Sequence, residues 1–108
     1  MGDGQHVWAA AEWVLMMRNC FVREKENGLI FCSGVLPEWH EDGKEIFFGP
    51  APTPFGPVTV RLVQSEERVH ISWTGKWRKK IPEIEVRVPG YRPVKVPEKE
   101  TVAVLSKL

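Results

Sequence analysis

Residues 58–73 read VTVRLVQSEERVHISW, and this stretch decides the fold class. Apolar side chains occupy every second position in each half, with the pair Glu66-Glu67 between the halves. The alternating apolar positions are Val58, Val60, Leu62, Val69, Ile71 and Trp73. Alternation with period two is typical of strands that bury one face, so the stretch predicts an antiparallel pair joined by a tight turn.

Further short strands surround this pair. The stretch 21–33, FVREKENGLIFCS, predicts a hairpin that turns at Glu26-Asn27-Gly28. Residues 84–88 alternate again, which places Glu85 on the outward face. The segment 49–57 contains four prolines and therefore predicts an ordered crossing rather than a strand. Additional strands are predicted at residues 45–48, 91–96 and 101–105.

The stretch Val7–Cys20, VWAAAEWVLMMRNC, predicts the only long helix of the chain, over about residues 6–20. Between Val7 and Met17 its only polar residue is Glu12. A helix that is apolar on all sides is normally buried on all sides, and this one is shorter than the roughly 20 residues of a membrane span. We therefore expect it to pack both on this chain and on a partner. The contact candidates are Trp8, Trp13, Met16 and Met17.

The 108 residues are expected to form a single domain, 1–108, of mainly β class. The pattern predicts an antiparallel β-sandwich of about seven to eight strands with one N-terminal α-helix. Apolar content of 43% and a net charge of +1 indicate a globular protein, with no electrostatic reason to expect a nucleic-acid or membrane partner. The basic run at residues 76–80 is interpreted as a solvated turn.

The sequence contains no motif that is typical of a cofactor-binding or metal-binding site. Cys20 and Cys32 fit no metal-ligand spacing, histidines and carboxylates do not cluster, and no phosphate-binding, dinucleotide-binding or nucleophile motif is present. We expect no metal and no cofactor. The two cysteines are interpreted as reduced thiols of a cytoplasmic protein, with a disulfide between them as the alternative. The helix lacks the basic start and the cleavage site of a signal peptide.

Four motifs stand in order along the chain: WAAAEW at 8–13, VRE at 22–24, GVLPEW at 34–39 and PTPFGPV at 52–58. In this order they resemble the carboxy-terminal end of large bacterial and archaeal proteins related to glycoside hydrolases. In those proteins an (α/α)6-barrel catalytic domain ends in such a helix and continues into a β-sandwich. The resemblance covers roughly residues 4–75. It implies that the chain is the C-terminal module of a larger protein, or a stand-alone relative, and that this chain alone is not an enzyme.

Aromatic and acidic residues supply candidates for a carbohydrate contact, because aromatic faces bind sugar rings. The candidates are His6, Glu12, Trp77 and Tyr91. Each has a structural alternative: Glu12 is otherwise a buried acid paired with an arginine, and His6 is otherwise an exposed residue at the helix start. The further tryptophans, Trp39 and Trp73, are assigned to the core.

Three functions remain. The first is a non-catalytic accessory module that packs through its apolar helix on a catalytic domain or another protein, and that forms a homodimer when it is expressed alone. The second is a carbohydrate-binding module that uses exposed tryptophans. The third is a small stand-alone enzyme, for which the sequence offers Glu12 as its one candidate acid.

Overall fold

Two four-stranded sheets pack together in the computed structural model, which describes residues 17–108 apart from the side chain of Asp42. The strands are β1 (Val22–Lys25), β2 (Gly28–Phe31), β3 (Glu45–Ala51), β4 (Val58–Ser65), β5 (Arg68–Gly75), β6 (Glu83–Val86), β7 (Val94–Val96) and β8 (Val102–Ser106). Sheet 1 has the order β1-β2-β6-β7, and sheet 2 has the order β3-β4-β5-β8. Residues 17–21 are helical and lead directly into β1. The mainly β fold with a helix at its N-terminus is confirmed.

The pair β4–β5 is the centre of sheet 2, as the alternation predicts. Val60 lies opposite Trp73 and Leu62 lies opposite Ile71 in an antiparallel register. All six alternating apolar positions of residues 58–73 are buried. β3 and β8 extend this pair on its two sides. Burial of these large apolar side chains supplies the main stabilisation of the sandwich.

Sheet 1 differs from the all-antiparallel expectation at one pair of strands. β1 and β2 form the predicted hairpin, but β2 and β6 run parallel, with Leu29 opposite Ile84 and Phe31 opposite Val86. The chain leaves sheet 1 after β2, builds three strands of sheet 2, and returns for β6. A connection of this length allows the parallel direction, which a short hairpin does not.

The proline-rich crossing begins later than the sequence indicates. β3 continues through Gly49 and Pro50 to Ala51, with a shift of register against β4 between Phe48 and Ala51. Proline is tolerated there because β3 is an edge strand. The crossing itself covers residues 52–57, and Phe55 packs from it against the core.

Two short 3-10 helices, Pro37–Trp39 and Glu41–Gly43, connect β2 to β3. His40 lies between them and is only 2% exposed. Its Nδ1 hydrogen-bonds with Oε1 of Gln64 at 2.7 Å, while its Nε2 is buried without a partner in the described part of the chain. The histidine therefore attaches this connection to β4.

Glu85 is the outward residue whose burial the alternation did not predict. It lies on the outer face of sheet 1 but is only 7% exposed. The side chains of Lys25 and Arg87 form ion pairs with it and cover it. A carboxylate in the middle of a sheet becomes buried when long cationic side chains from neighbouring positions lie across it.

Candidate functional site

The last turn of the N-terminal helix is attached to both sheets through Phe21. Its ring is 4% exposed and stacks on the ring of Phe48 at 4.8 Å between centroids. The ring of Trp39 stacks on it at 5.9 Å. Phe48 belongs to sheet 2, whereas Phe21 immediately precedes β1 of sheet 1. This aromatic cluster therefore joins the two sheets at the point where the helix ends.

Hydrogen bonds fix the same turn. The backbone carbonyl of Phe21 accepts from the N–H of Cys32 at 2.9 Å, and the carbonyl of Cys20 accepts from Gly34 at 3.0 Å. The Arg18 guanidinium donates to the carbonyl of Pro52 at 2.8 Å and pairs with Glu24 at 3.0 Å. Helix carbonyls in the last turn lack intrahelical partners, so the bonds from Cys32 and Gly34 satisfy two of them. Arg18 attaches the same turn to the proline-rich crossing and to β1.

Most of the predicted helix contacts fall in the undescribed part of the chain. Trp8, Trp13 and Met16 of the proposed interface lie outside the described residues, as do the sugar-contact candidates His6 and Glu12. Met17 is described, is half buried, and packs against the core. It therefore supports the attachment of the helix to the sandwich from the inside.

The remaining sugar-contact candidates, Trp77 and Tyr91, lie at opposite ends of sheet 2. Trp77 follows β5 at its Gly75 end and is half buried against the core. Tyr91 is 8% exposed and bridges to Lys107, which in turn bonds to Glu67 at the other end of β5. Eight residues of strand separate the two ends by about 26 Å. The structure does not bring these two rings into one platform.

The two tryptophans assigned to the core are found there. Trp73 is 6% exposed and meets Phe31 edge to face at 5.1 Å between centroids. Trp39 is half buried and packs on Phe21.

The outer face of sheet 2 carries exposed apolar side chains that the sequence interpretation did not single out. Phe47 is 63% exposed, Val102 is 51% exposed and Val104 is 45% exposed. The guanidinium of Arg61 lies 5.8 Å from the centre of the Phe47 ring and pairs with Glu45 at 2.7 Å. The signal was present, because alternation along β3 and β8 points these side chains away from the core.

The described residues contain neither a cluster of metal-binding side chains nor a membrane-spanning helix. Among the side chains that the structure describes, no group of three or more histidine, cysteine, aspartate or glutamate residues is arranged to hold a metal ion. Helices in this part of the chain all fall short of the length and apolarity that crossing a bilayer requires.

Comparison with protein-family models, with curated proteins and with solved structures finds no match to this chain.

Proposed function

We propose that this chain is a non-catalytic β-sandwich module that acts by packing on a partner through its N-terminal helix. The observation that carries the proposal is the attachment of the last helical turn to both sheets. Phe21 stacks on Phe48 of β3, and Arg18 pairs with Glu24 of β1. A partner bound to a helix that is attached in this way is held in a fixed position relative to the sandwich.

The sequence ahead of this turn supplies the contact. Residues 7–17 contain one polar residue, Glu12, among eleven. A helix of this composition needs cover on more than one face, and exposed apolar patches of several hundred Å² mark interaction sites. The bulky side chains Trp8 and Trp13 are the strongest candidates, because tryptophan contributes large apolar area at interfaces.

Two carboxylates whose pKa values are lowered in the folded chain support a structural role. The pKa of Glu45 is lowered by a hydrogen bond from Arg61, and the pKa of Glu85 is lowered by a hydrogen bond from Arg87. Both carboxylates are held as ionised partners of arginine on a sheet face. Groups used in this way stabilise local geometry and are not poised to transfer protons near neutral pH.

The partner class that we propose is an (α/α)6-barrel domain, because the motif order of the sequence resembles the end of such proteins. In the absence of that partner, the same apolar helix is expected to pair with a second copy. The helix contact can therefore be measured directly as homodimer formation by the isolated chain.

Sedimentation velocity on the isolated chain tests this proposal. We expect the wild-type chain to sediment as a dimer and the double variant Trp8→Gln/Trp13→Gln to sediment as a monomer. Glutamine is a good helix former, so the two substitutions remove the apolar contact without opposing the helix. Phe47→Ser is the matched control, since Phe47 is an exposed aromatic residue of sheet 2. It should leave the dimer intact.

Two results would argue against the helix as the contact. A wild-type chain that remains monomeric throughout the micromolar range has no self-association to explain. A dimer that Phe47→Ser dissociates and the double tryptophan variant does not dissociate would move the contact to the outer face of sheet 2. Circular dichroism of each variant establishes that the sandwich is folded.

A further inference from the structure

A cleft on sheet 1 has the composition of an anion-binding site. It lies at the end of the sheet where β2 and β6 finish and has a volume of about 340 Å³. Its charged side chains are Arg23 and Arg87, and its lining also includes two hydroxyl-bearing residues, Ser33 and Tyr91. No carboxylate of the described residues lines it. Clefts of roughly 300–1,000 Å³ are the size that takes small molecules.

Arg23 enters this cleft from the outer face of sheet 1. In the strand register, Arg23 lies opposite Ile30 and Ile30 lies opposite Glu85, so these three residues form one row across the sheet. Its Nη1 lies 3.4 Å from Oγ of Ser33. None of the carboxylates that the structure describes forms an ion pair with it. A guanidinium carries five N–H donors, and Ser33 is the one side chain among the described residues that accepts from Arg23.

The buried carboxylate of Glu85 positions the side chain of Arg87. Its Nε donates to Oε2 of Glu85, which is 7% exposed and also pairs with Lys25 at 3.9 Å. The Arg87 side chain is nevertheless 56% exposed. A guanidinium bound through Nε keeps both Nη groups available, and the carboxylate limits the rotation of its planar fork.

We propose that this cleft binds the oxyanion of a small organic molecule, a carboxylate or a phosphate monoester, between Arg23 and Arg87. Arginine suits this task because its parallel N–H groups match two oxygens of one oxyanion. The hydroxyl of Ser33 is a third donor beside Arg23. Pro89, Pro93 and Tyr91 form apolar walls against which the body of the ligand packs. This function is separate from the helix contact and does not depend on it.

Phenyl phosphate and benzoate are the probes, and inorganic phosphate shows what the oxyanion contributes without an apolar body. Each is titrated into the 15N-labelled 108-residue chain while the side-chain Nε–H signals of the arginines are followed by NMR. We expect saturable shifts of the Arg23 and Arg87 signals with a Kd of about 1 mM or tighter for at least one organic probe. Whichever of the two organic probes binds more tightly identifies the oxyanion.

Three variants make the test specific. Arg23→Gln and Arg87→Gln should each weaken binding about tenfold or more, because each removes hydrogen bonds to a charged group. Arg68→Gln, an exposed arginine on β5, is the matched control and should change the Kd less than about twofold. Arg23→Gln does not touch Glu85, so its effect is independent of any change in the ion pair at Arg87.

The proposal is overturned if none of the probes gives a saturable shift. It is overturned equally if the Arg68 signal shifts as much as those of Arg23 and Arg87, or if Arg68→Gln weakens binding as much as Arg23→Gln. Those results would show general attraction of anions to surface cations.

Discussion

At the scale of single residues, the two cysteines illustrate how position controls reactivity. Both thiols are free; Cys32 is buried and Cys20 is half buried. Burial raises the pKa of Cys32 to about 12. Because the thiolate is the reactive form, iodoacetamide at about pH 8 should alkylate Cys20 of the folded chain and spare Cys32. Peptide mass spectrometry measures both. Alkylation of Cys32 at the rate found in urea would contradict its burial.

The charge state of Glu85 links the stability of the fold to pH. Its pKa lies below the ordinary value of 4.5, first because Arg87 hydrogen-bonds to it and then because Arg87, Lys25 and Lys95 attract its charge. A carboxylate with a lowered folded-state pKa stabilises the fold above pH 4.5, and this stabilisation is lost as the pH falls through that lower value.

Glu85→Gln should therefore reduce the free energy of unfolding at neutral pH by about 1 kcal/mol and flatten its decline in acid. Urea denaturation over a series of pH values measures both effects. Glu83→Gln changes an exposed residue of the same strand and should cost less than about 0.5 kcal/mol. Equal losses in the two variants, or an acid decline that Glu85→Gln leaves unchanged, would show that the ion pair does not stabilise the fold.

At the scale of the elements, the proline-rich crossing depends on Thr53. The Thr53 hydroxyl donates to the carbonyl of Gly56 at 2.6 Å and accepts from the N–H of Phe55 at 3.1 Å. Thr53 is 5% exposed, so water cannot readily replace it. Thr53→Val keeps the shape and should lower the free energy of unfolding by about 1–3 kcal/mol. Thr53→Ser should retain most of this stability, whereas equal losses from Val and Ser would exclude the hydroxyl as the cause.

The sequence predicts those elements whose signal is local. Alternation identified β4 and β5 together with their buried faces, and Asn27-Gly28 identified the first hairpin. The parallel pairing of β2 with β6 could not be predicted, because it joins residues more than fifty positions apart without a local pattern. The burial of Glu85 could not be predicted either, since it depends on side chains from other positions.

Some features of the candidate sites follow from local sequence pattern, and others depend on the topology. Exposed Phe47 on β3 follows from alternation. The separation of Trp77 from Tyr91 follows from the topology, which sends residues 76–82 and 87–93 to different ends of the sandwich. The cleft between Arg23 and Arg87 also depends on topology, because only the parallel return of β6 beside β2 brings these two arginines together.

At the scale of the whole molecule, Phe21 connects the helix, sheet 1 and sheet 2. Phe21→Ala should lower the free energy of unfolding by about 3–5 kcal/mol, because it leaves a cavity between Trp39 and Phe48. Phe47→Ala removes the same ring from an exposed position and should cost about 0.5 kcal/mol or less. Chemical denaturation compares the two. Equal effects would mean that the helix turn does not join the sheets.

The central claim is that this module acts while packed on a partner through its helix. The most direct test is the native mass of the protein that carries this sequence, measured in source extract by size-resolved immunoblotting beside its denatured mass. We predict a native mass well above 12.4 kDa, from a longer polypeptide, a complex or a dimer. A protein of 12.4 kDa that is also a free monomer in its native state would contradict the claim.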